Sequence, residues 1–138
     1  MKTLEINQKN IKKVEKLLKS EKPTIILFYM NGCSHCTALH PTWREVTTNL
    51  EKDKGIDVAE VEFASMNLLP ENIRKNIAGF PTIQILKGGK AIAEYMGDRT
   101  KDTIIEFLNK YKLPEVIKKS STTSNNKSKK SSTKKTVK

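Results

Sequence analysis

The two cysteines of this chain, Cys33 and Cys36, are separated only by Ser34 and His35. An apolar, β-branched run over Thr24–Tyr29 precedes them, and a pattern typical of a helix follows. A Cys-X-X-Cys pair between a strand and a helix is typical of a dithiol that exchanges electrons with other thiols. The pair therefore favours a strand–helix unit whose junction carries redox chemistry.

The spacing gives the two sulfurs different environments. Cys33 falls where the helix should begin, and the unpaired N–H groups and the helix dipole at that end favour an anion. His35, when protonated, adds a positive charge nearby. Cys36 lies one helical turn further in. Because the thiolate is the reactive form of cysteine, we expect Cys33 to attack a partner's disulfide and Cys36 to resolve the mixed disulfide.

The same motif could supply half of a zinc site. A structural zinc takes four ligands, and the candidates near the motif are Cys33, Cys36, His35 and His40, with no second cysteine pair. Cys33, Cys36 and His40 share a helix face, whereas His35 points elsewhere. We therefore expect no metal and no cofactor, and His40 is predicted to be a surface or half-buried helix residue.

The chain divides into one domain, residues 1–115, and a basic tail, residues 116–138. The domain is long enough to bury most of its apolar surface. Residues 118–138 contain eight lysines, ten serines or threonines and no acidic residue, and so carry most of the formal net charge of +11. A segment so poor in apolar residues cannot offset the entropy lost on ordering. We therefore expect the tail to be disordered.

The basic tail leaves two interpretations open. It is either a solvated, solubilising extension or a weak electrostatic tether to nucleic acid or another anionic surface. No aromatic residue lies among its lysines, so recognition of bases by stacking is not expected. A separate alternative for the whole chain is a non-catalytic binding or scaffolding module with a vestigial dithiol, tethered by this tail to nucleic acid or another anionic partner.

The sequence shows no targeting segment. Residues 1–18 are interrupted by lysines and glutamates and lack the apolar stretch of a secretion signal. No run approaches the ~18 apolar residues of a membrane span, and the C-terminus carries no endoplasmic reticulum retention signal. We expect a cytoplasmic monomer. Because 3 of the 26 basic residues are arginine, an AT-rich genome is indicated, and association with a large DNA virus particle or a host cytoplasm is an alternative.

The hydrophobic pattern predicts alternating strands and helices, with Trp43 in the core. The order indicates an α/β domain with a central mixed sheet flanked by helices. The predicted elements are a helix over 7–20, a strand over 24–29, a helix over 33–50, a strand over 56–63, a helix over 70–76, a hairpin of 82–86 with 91–95, and a helix over 102–111.

Four short segments extend this pattern into a family resemblance: Phe28-Tyr29, residues 37–43, residues 79–83 and residues 95–100. Together with the cysteine pair they resemble the thioredoxin-like family, and within it the catalytic domains of protein disulfide isomerases. The resemblance covers residues 7–111. It implies a thioredoxin-like fold, exchange with protein thiols and disulfides, and a reductase or oxidase that recycles the dithiol.

The resemblance also implies roles for single residues. Pro81 matches the family's cis-proline, which sits against the dithiol and keeps metals off the sulfurs. The backbone of Phe80 would pair with the substrate. Arg99 matches an arginine that can swing toward the inner cysteine and lower the pKa of Cys36. Gly32 stands where the family usually has tryptophan, so the substrate-binding rim is less apolar here.

One departure from the family concerns Leu27. Related domains carry a buried acid at this position, which accepts the proton of the inner cysteine. In its absence, proton removal from Cys36 must rely on His35, Arg99 or water, and we expect slow turnover. The Ser-His pair between the cysteines favours a more oxidising potential than a Gly-Pro pair would; a shift from about −270 to about −200 mV corresponds to ~3 kcal/mol.

Overall fold

A computed structural model describes residues 3–114 of this 138-residue chain. The predicted tail over 116–138 lies outside the described residues, so its disorder and its contacts stay predictions. The strands and α-helices of the described part are β1 (Leu4–Glu5), α1 (Ile11–Lys19), β2 (Thr24–Tyr29), α2 (Ser34–Asn49), β3 (Asp57–Glu62), α3 (Glu71–Arg74), β4 (Thr82–Lys87), β5 (Lys90–Glu94) and α4 (Lys101–Asn109).

The strands form one mixed sheet in the order β1-β3-β2-β4-β5. Strands β1 and β2 are parallel to β3, whereas β4 is antiparallel to both β2 and β5. Helices α2 and α4 pack on one face of the sheet, and α1 and α3 pack on the other. This architecture confirms the predicted fold class. Within residues 3–114, no helix is long and apolar enough to cross a membrane.

Strand β2 is the central strand of the sheet and is buried on both faces. Ile25 and Leu27 pack with α2 and α4, whereas Ile26 and Phe28 pack with α1 and α3. Successive side chains of a strand point to opposite faces, which is why a continuous apolar run is needed at this place in the sheet. Trp43 of α2 is fully buried on the first of these faces, as predicted.

The hairpin of β4 and β5 closes through a two-residue turn. Lys87 lies opposite Lys90, and Gly88 and Gly89 between them have φ angles of 61° and 78°. Two consecutive residues with positive φ are typical of the type I′ turn, whose twist matches that of the flanking strands. The Gly-Gly pair therefore sets the hairpin that the sequence predicts.

Strand β1 is not predicted by the sequence pattern. It contains two residues, too few to show a period, and it forms because Leu4 and Glu5 pair with Ala59 and Glu60 of β3. The following helix also starts later than expected, since a 3₁₀ turn over Gln8–Asn10 precedes α1. A second 3₁₀ segment, Phe63–Leu68, follows β3.

The segment after α4 is attached to the loop before β3 by backbone contact. The N–H of Leu113 donates to the carbonyl oxygen of Gly55 at 2.9 Å. Beside it, Lys112 Nζ lies 2.6 Å from Asp53 Oδ2, and the N–H of Gly55 donates to Asp53 Oδ1 at 2.8 Å. A Cβ atom on Gly55 would lie 2.3 Å from the carbonyl oxygen of Leu113, so the contact requires glycine.

We expect Gly55→Ala to lower the free energy of unfolding by about 2 kcal/mol, because the added methyl group forces two backbone segments apart. Gly79→Ala is the matched control. No atom lies within 4 Å of a Cβ on Gly79, so its stability should change by less than about 0.5 kcal/mol. Urea denaturation with equal m values measures both. Equal losses in the two variants would contradict the steric explanation.

Candidate active site

A tight turn after β2 carries the chain to the first cysteine. The N–H of Cys33 donates to the carbonyl oxygen of Met30 at 3.2 Å, and Gly32 has a φ angle of 85°. This left-handed conformation favours glycine at the third position of such a turn. The N–H of Asn31 donates to Glu62 Oε2 at 2.9 Å, so the turn is also held to the end of β3.

Cys33 is the N-cap residue of helix α2. Its backbone is extended, and its Sγ accepts a hydrogen bond from the N–H of Cys36 at 3.2 Å. The N–H of Thr37 donates to the carbonyl oxygen of Cys33 at 3.0 Å. A sulfur thus takes the place of the usual side-chain oxygen at a helix N-terminus, where the unpaired N–H groups and the helix dipole favour negative charge.

The environment of Cys33 stabilises its thiolate. A hydrogen bond from the Cys36 side chain lowers the pKa of Cys33, and the backbone N–H groups of Cys36 and His35 act in the same direction, against partial burial. The positive charge of Arg99 lowers this pKa further. The effect of His35 on the pKa of Cys33 thus comes from its backbone N–H.

The environment of Cys36 has the opposite effect. Burial raises the pKa of Cys36, and so do the hydrogen bond that it gives to Cys33 and the negative charge of Cys33. A backbone hydrogen bond from Met30 and the charge of Arg99 partly oppose this shift. Both cysteines are free and half-buried. The pair therefore combines an ionisable outer thiol with an inner thiol that keeps its proton.

The outer thiol faces the segment before β4. The peptide bond between Phe80 and Pro81 is cis, and the Cys33 thiol donates to the carbonyl oxygen of Phe80 at 3.8 Å. The ring of Phe80 contacts Phe63 edge-on, with centroids 5.8 Å apart. Phe63 is 56% exposed and extends an apolar surface from Phe80. Its place beside the dithiol depends on the 3₁₀ segment after β3 and is not readable from the sequence.

Arg99 lies at the turn before α4 and is exposed. With Pro81 and Met96 it lines a cavity of about 250 Å³ beside the dithiol. Met96 is 83% exposed. The positive charge of Arg99 lowers the pKa of both cysteines. That Arg99 swings toward Cys36 stays a prediction.

Both histidines are exposed to solvent. His35 is exposed at the start of α2, and His40 is exposed one turn after Cys36, where its Nε2 accepts from Arg44 Nε at 3.4 Å. In the described part of the chain, no group of three or more His, Cys, Asp or Glu is arranged to hold a metal ion. The exposed position of His40 agrees with its prediction as a surface helix residue.

A second and larger cavity, about 400 Å³ in volume, lies on the inner side of the dithiol. Cys36 and Leu27 line it, together with two carboxylates, Glu5 of β1 and Glu60 of β3. Neither carboxylate is recognisable from the sequence as a site residue, because the pairing of β1, β3 and β2 places both on the cavity that Cys36 lines. Position 27 itself carries no acid, and the route by which Cys36 loses its proton stays a prediction.

These features define a thioredoxin-fold protein with a Cys-X-X-Cys site at the N-terminus of a helix. The thioredoxin family model matches residues 2–110, and the chain belongs to the thioredoxin family. A Schizosaccharomyces pombe protein named for protein disulfide-isomerase is 33% identical over 112 residues, which cover 81% of this chain and 22% of that protein. Human protein disulfide-isomerase A4 is 34% identical over 98 residues, which cover 70% of this chain and 15% of that protein.

Solved structures agree with this assignment. The first thioredoxin domain of mouse protein disulfide-isomerase A4 superposes with a TM-score of 0.62 at 25% identity, covering 88% of this chain and 83% of that domain. The chain thus spans less than a quarter of the curated relatives named above but most of a single isomerase domain. The predicted resemblance to thioredoxin-like, isomerase-type domains is confirmed.

We expect Cys36→Ala to raise the pKa of Cys33, because it removes the side-chain hydrogen bond that contributes most to lowering that pKa. The rate at which iodoacetamide alkylates Cys33, followed by mass spectrometry across pH, measures the shift. Cys36→Ser is the matched control, since its hydroxyl group can still donate. Identical pH profiles for the two variants would show that the backbone N–H groups alone stabilise the thiolate.

Proposed function

We propose that this chain is a thiol–disulfide oxidoreductase that exchanges a Cys33–Cys36 disulfide with protein substrates. The observation that carries the proposal is the opposite effect of the fold on two thiols one helical turn apart, which lowers the pKa of Cys33 and raises that of Cys36. The isomerase names of the relatives support the same class of reaction. In this proposal residues 1–115 carry the chemistry.

The reaction begins with the reduced pair. The Cys33 thiolate attacks one sulfur of a substrate disulfide, a Cys33–substrate disulfide forms, and the first substrate thiolate leaves. Cys36 then loses its proton and attacks the Cys33 sulfur. The Cys33–Cys36 disulfide forms, and the second substrate thiolate leaves and takes a proton from solvent. The oxidised pair runs the same steps in reverse, and a separate reductase or oxidase resets the cycle.

Substrate binding is proposed for the surface around the outer sulfur. The Phe80 carbonyl group already contacts the Cys33 thiol, so a peptide whose backbone pairs with Phe80 would bring its own sulfur to the same point. Gly32 and Pro81 border this position, and Phe63 offers an exposed apolar side chain next to it. The rim suits an extended peptide with apolar residues near its cysteine.

Cys33→Ser should abolish dithiol-dependent reduction of insulin, because the attacking thiolate is lost. Cys36→Ala should instead accumulate the mixed disulfide, visible as an adduct on a non-reducing gel. Ser34→Ala is the control within the motif and should keep turnover within about threefold of wild type, since Ser34 forms no part of the exchange. Full turnover in Cys33→Ser would refute the proposal.

Equilibration in glutathione buffers determines the direction of electron flow. A reduction potential near about −180 to −200 mV would indicate an oxidase or isomerase, and one near about −270 mV a reductase. Absence of a reversible couple in the wild-type chain would refute the proposed activity.

Arg99→Gln should slow the second step by about fivefold, because an exposed charge of this kind contributes up to ~1 kcal/mol. Arg99→Lys keeps the charge, so its second step should slow by a smaller factor. The difference in rate between wild type and Arg99→Gln should shrink in high salt, which screens exposed charges. Rapid-mixing kinetics with oxidised glutathione measure the step; equal, salt-independent losses in both variants would exclude an electrostatic role.

A further inference from the structure

The second step of the proposed reaction requires a base. Cys36 must become a thiolate before it can attack the Cys33 sulfur, yet burial raises the pKa of Cys36. Its proton therefore needs an acceptor on the inner side of the dithiol. His35 and Arg99 do not line the cavity there, so the groups that do are the candidates.

The cavity beside Cys36 has the size for such a transfer. Its volume of about 400 Å³ is enough for several water molecules, each of which takes ~30 Å³ in the liquid. Cys36 and Glu60 both line it. Water molecules can relay a proton between two groups that do not touch. The carboxylate and the thiol therefore need not be in direct contact.

The fold holds Glu60 in this position from two sides. Strands β2 and β3 pair so that Glu60 lies beside Leu27, which also lines the cavity. From helix α2, the indole N–H of Trp43 donates to Glu60 Oε2 at 3.3 Å. Trp43 is fully buried and follows Cys36 by two helical turns, on a similar face. The carboxylate is thus directed toward the face of α2 that carries Cys36.

Glu60 has a second carboxylate as its neighbour. Glu5 pairs with Glu60 across β1 and β3, and the hydroxyl group of Tyr29 donates to Glu5 Oε2 at 3.1 Å. Burial raises the pKa of Glu5, and the charge of Glu60 raises it further. The neighbouring negative charge thus favours the protonated form of the Glu5 carboxyl group.

We propose that Glu60 accepts the proton of Cys36, through water in this cavity, when Cys36 resolves the mixed disulfide. The inference rests on the proposed function. The Cys36 proton passes to the Glu60 carboxylate, the new thiolate attacks Cys33, and the substrate thiolate leaves. Glu60 then returns its proton to solvent through the open side of the cavity. Glu5 is a positioning residue, because the pairing of β1 with β3 sets it beside Glu60 on the cavity.

Other charged or titratable groups face the same cavity or act on it, and they belong in any account of its pH dependence. His40 and Arg44 of helix α2 line the cavity together with Glu60. The charged or titratable groups that line the cavity are Glu5, Tyr29, Cys36, His40, Arg44 and Glu60. Two further charges act on these groups. Glu62 acts on Glu5 and Tyr29, and Arg99 acts on Cys36.

The test separates the two steps of exchange with oxidised glutathione in the full chain. Rapid mixing records release of the first glutathione, which depends on Cys33, and then of the second, which depends on Cys36. Glu60→Gln keeps an oxygen for Trp43 but removes the base. We expect it to slow the second step by about tenfold or more near neutral pH and to leave the first within about twofold.

Two controls accompany this variant. Glu45→Gln makes the same chemical change on the exposed surface of α2 and should leave both steps unchanged. Glu60→Asp keeps the base one methylene group further back and should give a second-step rate between those of wild type and Glu60→Gln. Equal unfolding midpoints establish that the variants fold. If Glu60→Gln does not fold, Glu60→Asp provides the test.

The pH profile and the pattern of losses decide the outcome. A selective loss in the second step that shrinks as pH rises and Cys36 ionises unaided supports the inference. An unchanged second step, or equal loss in both steps, overturns it, as does a loss that appears in His40→Gln instead. Wild-type protein that releases no glutathione in either step would refute the proposed function itself, independently of Glu60.

Discussion

Strand β2 is hydrogen-bonded along both edges and buried on both faces, and the site depends on this double constraint. One edge pairs with β3, which brings Glu62 beside Tyr29 and lets it hold the turn at Asn31. The other edge pairs with β4, where Thr82 lies opposite Phe28, so the segment before β4 reaches the dithiol. A strand constrained in this way cannot slip by one residue without exposing its apolar side chains. The dithiol, the backbone of Phe80 and Pro81, and the inner cavity therefore meet at one end of β2.

The chemical difference between the two cysteines follows from one turn of helix. At the N-cap, Cys33 is close to backbone N–H groups that have no partner within the helix. Cys36 lies one turn further in, where burial raises the pKa of its thiol. The two ends of one helical turn thus shift the pKa values of the two thiols in opposite directions. No charged side chain is required for the first effect, although Arg99 adds to it.

Local pattern was sufficient for most of the fold. The apolar run of β2, the Gly-Gly turn of the hairpin and the helix after Cys33 are each read from neighbouring residues. The order of the two cysteines in the helix likewise predicts which thiol has the lower pKa. Glu60 is different, because its place on the cavity that Cys36 lines depends on which residues of β2 and β3 pair, and that register involves residues far apart in the chain. Leu27, considered alone, indicates a lost acid. The sheet places Glu60 next to it on β3, and Glu5 one strand further on β1.

The attachment of β1 and the protonation of the inner cavity are thermodynamically linked. Glu5 belongs to a strand of two residues, and its pKa is raised in the folded chain. The folded state therefore binds this proton more tightly than the unfolded state does. The stability from this group is complete below the unfolded pKa and is lost as pH rises through the folded pKa. Protonation of Glu5 and pairing of β1 with β3 therefore favour each other, so the charge state of the cavity and the attachment of this short edge strand change together.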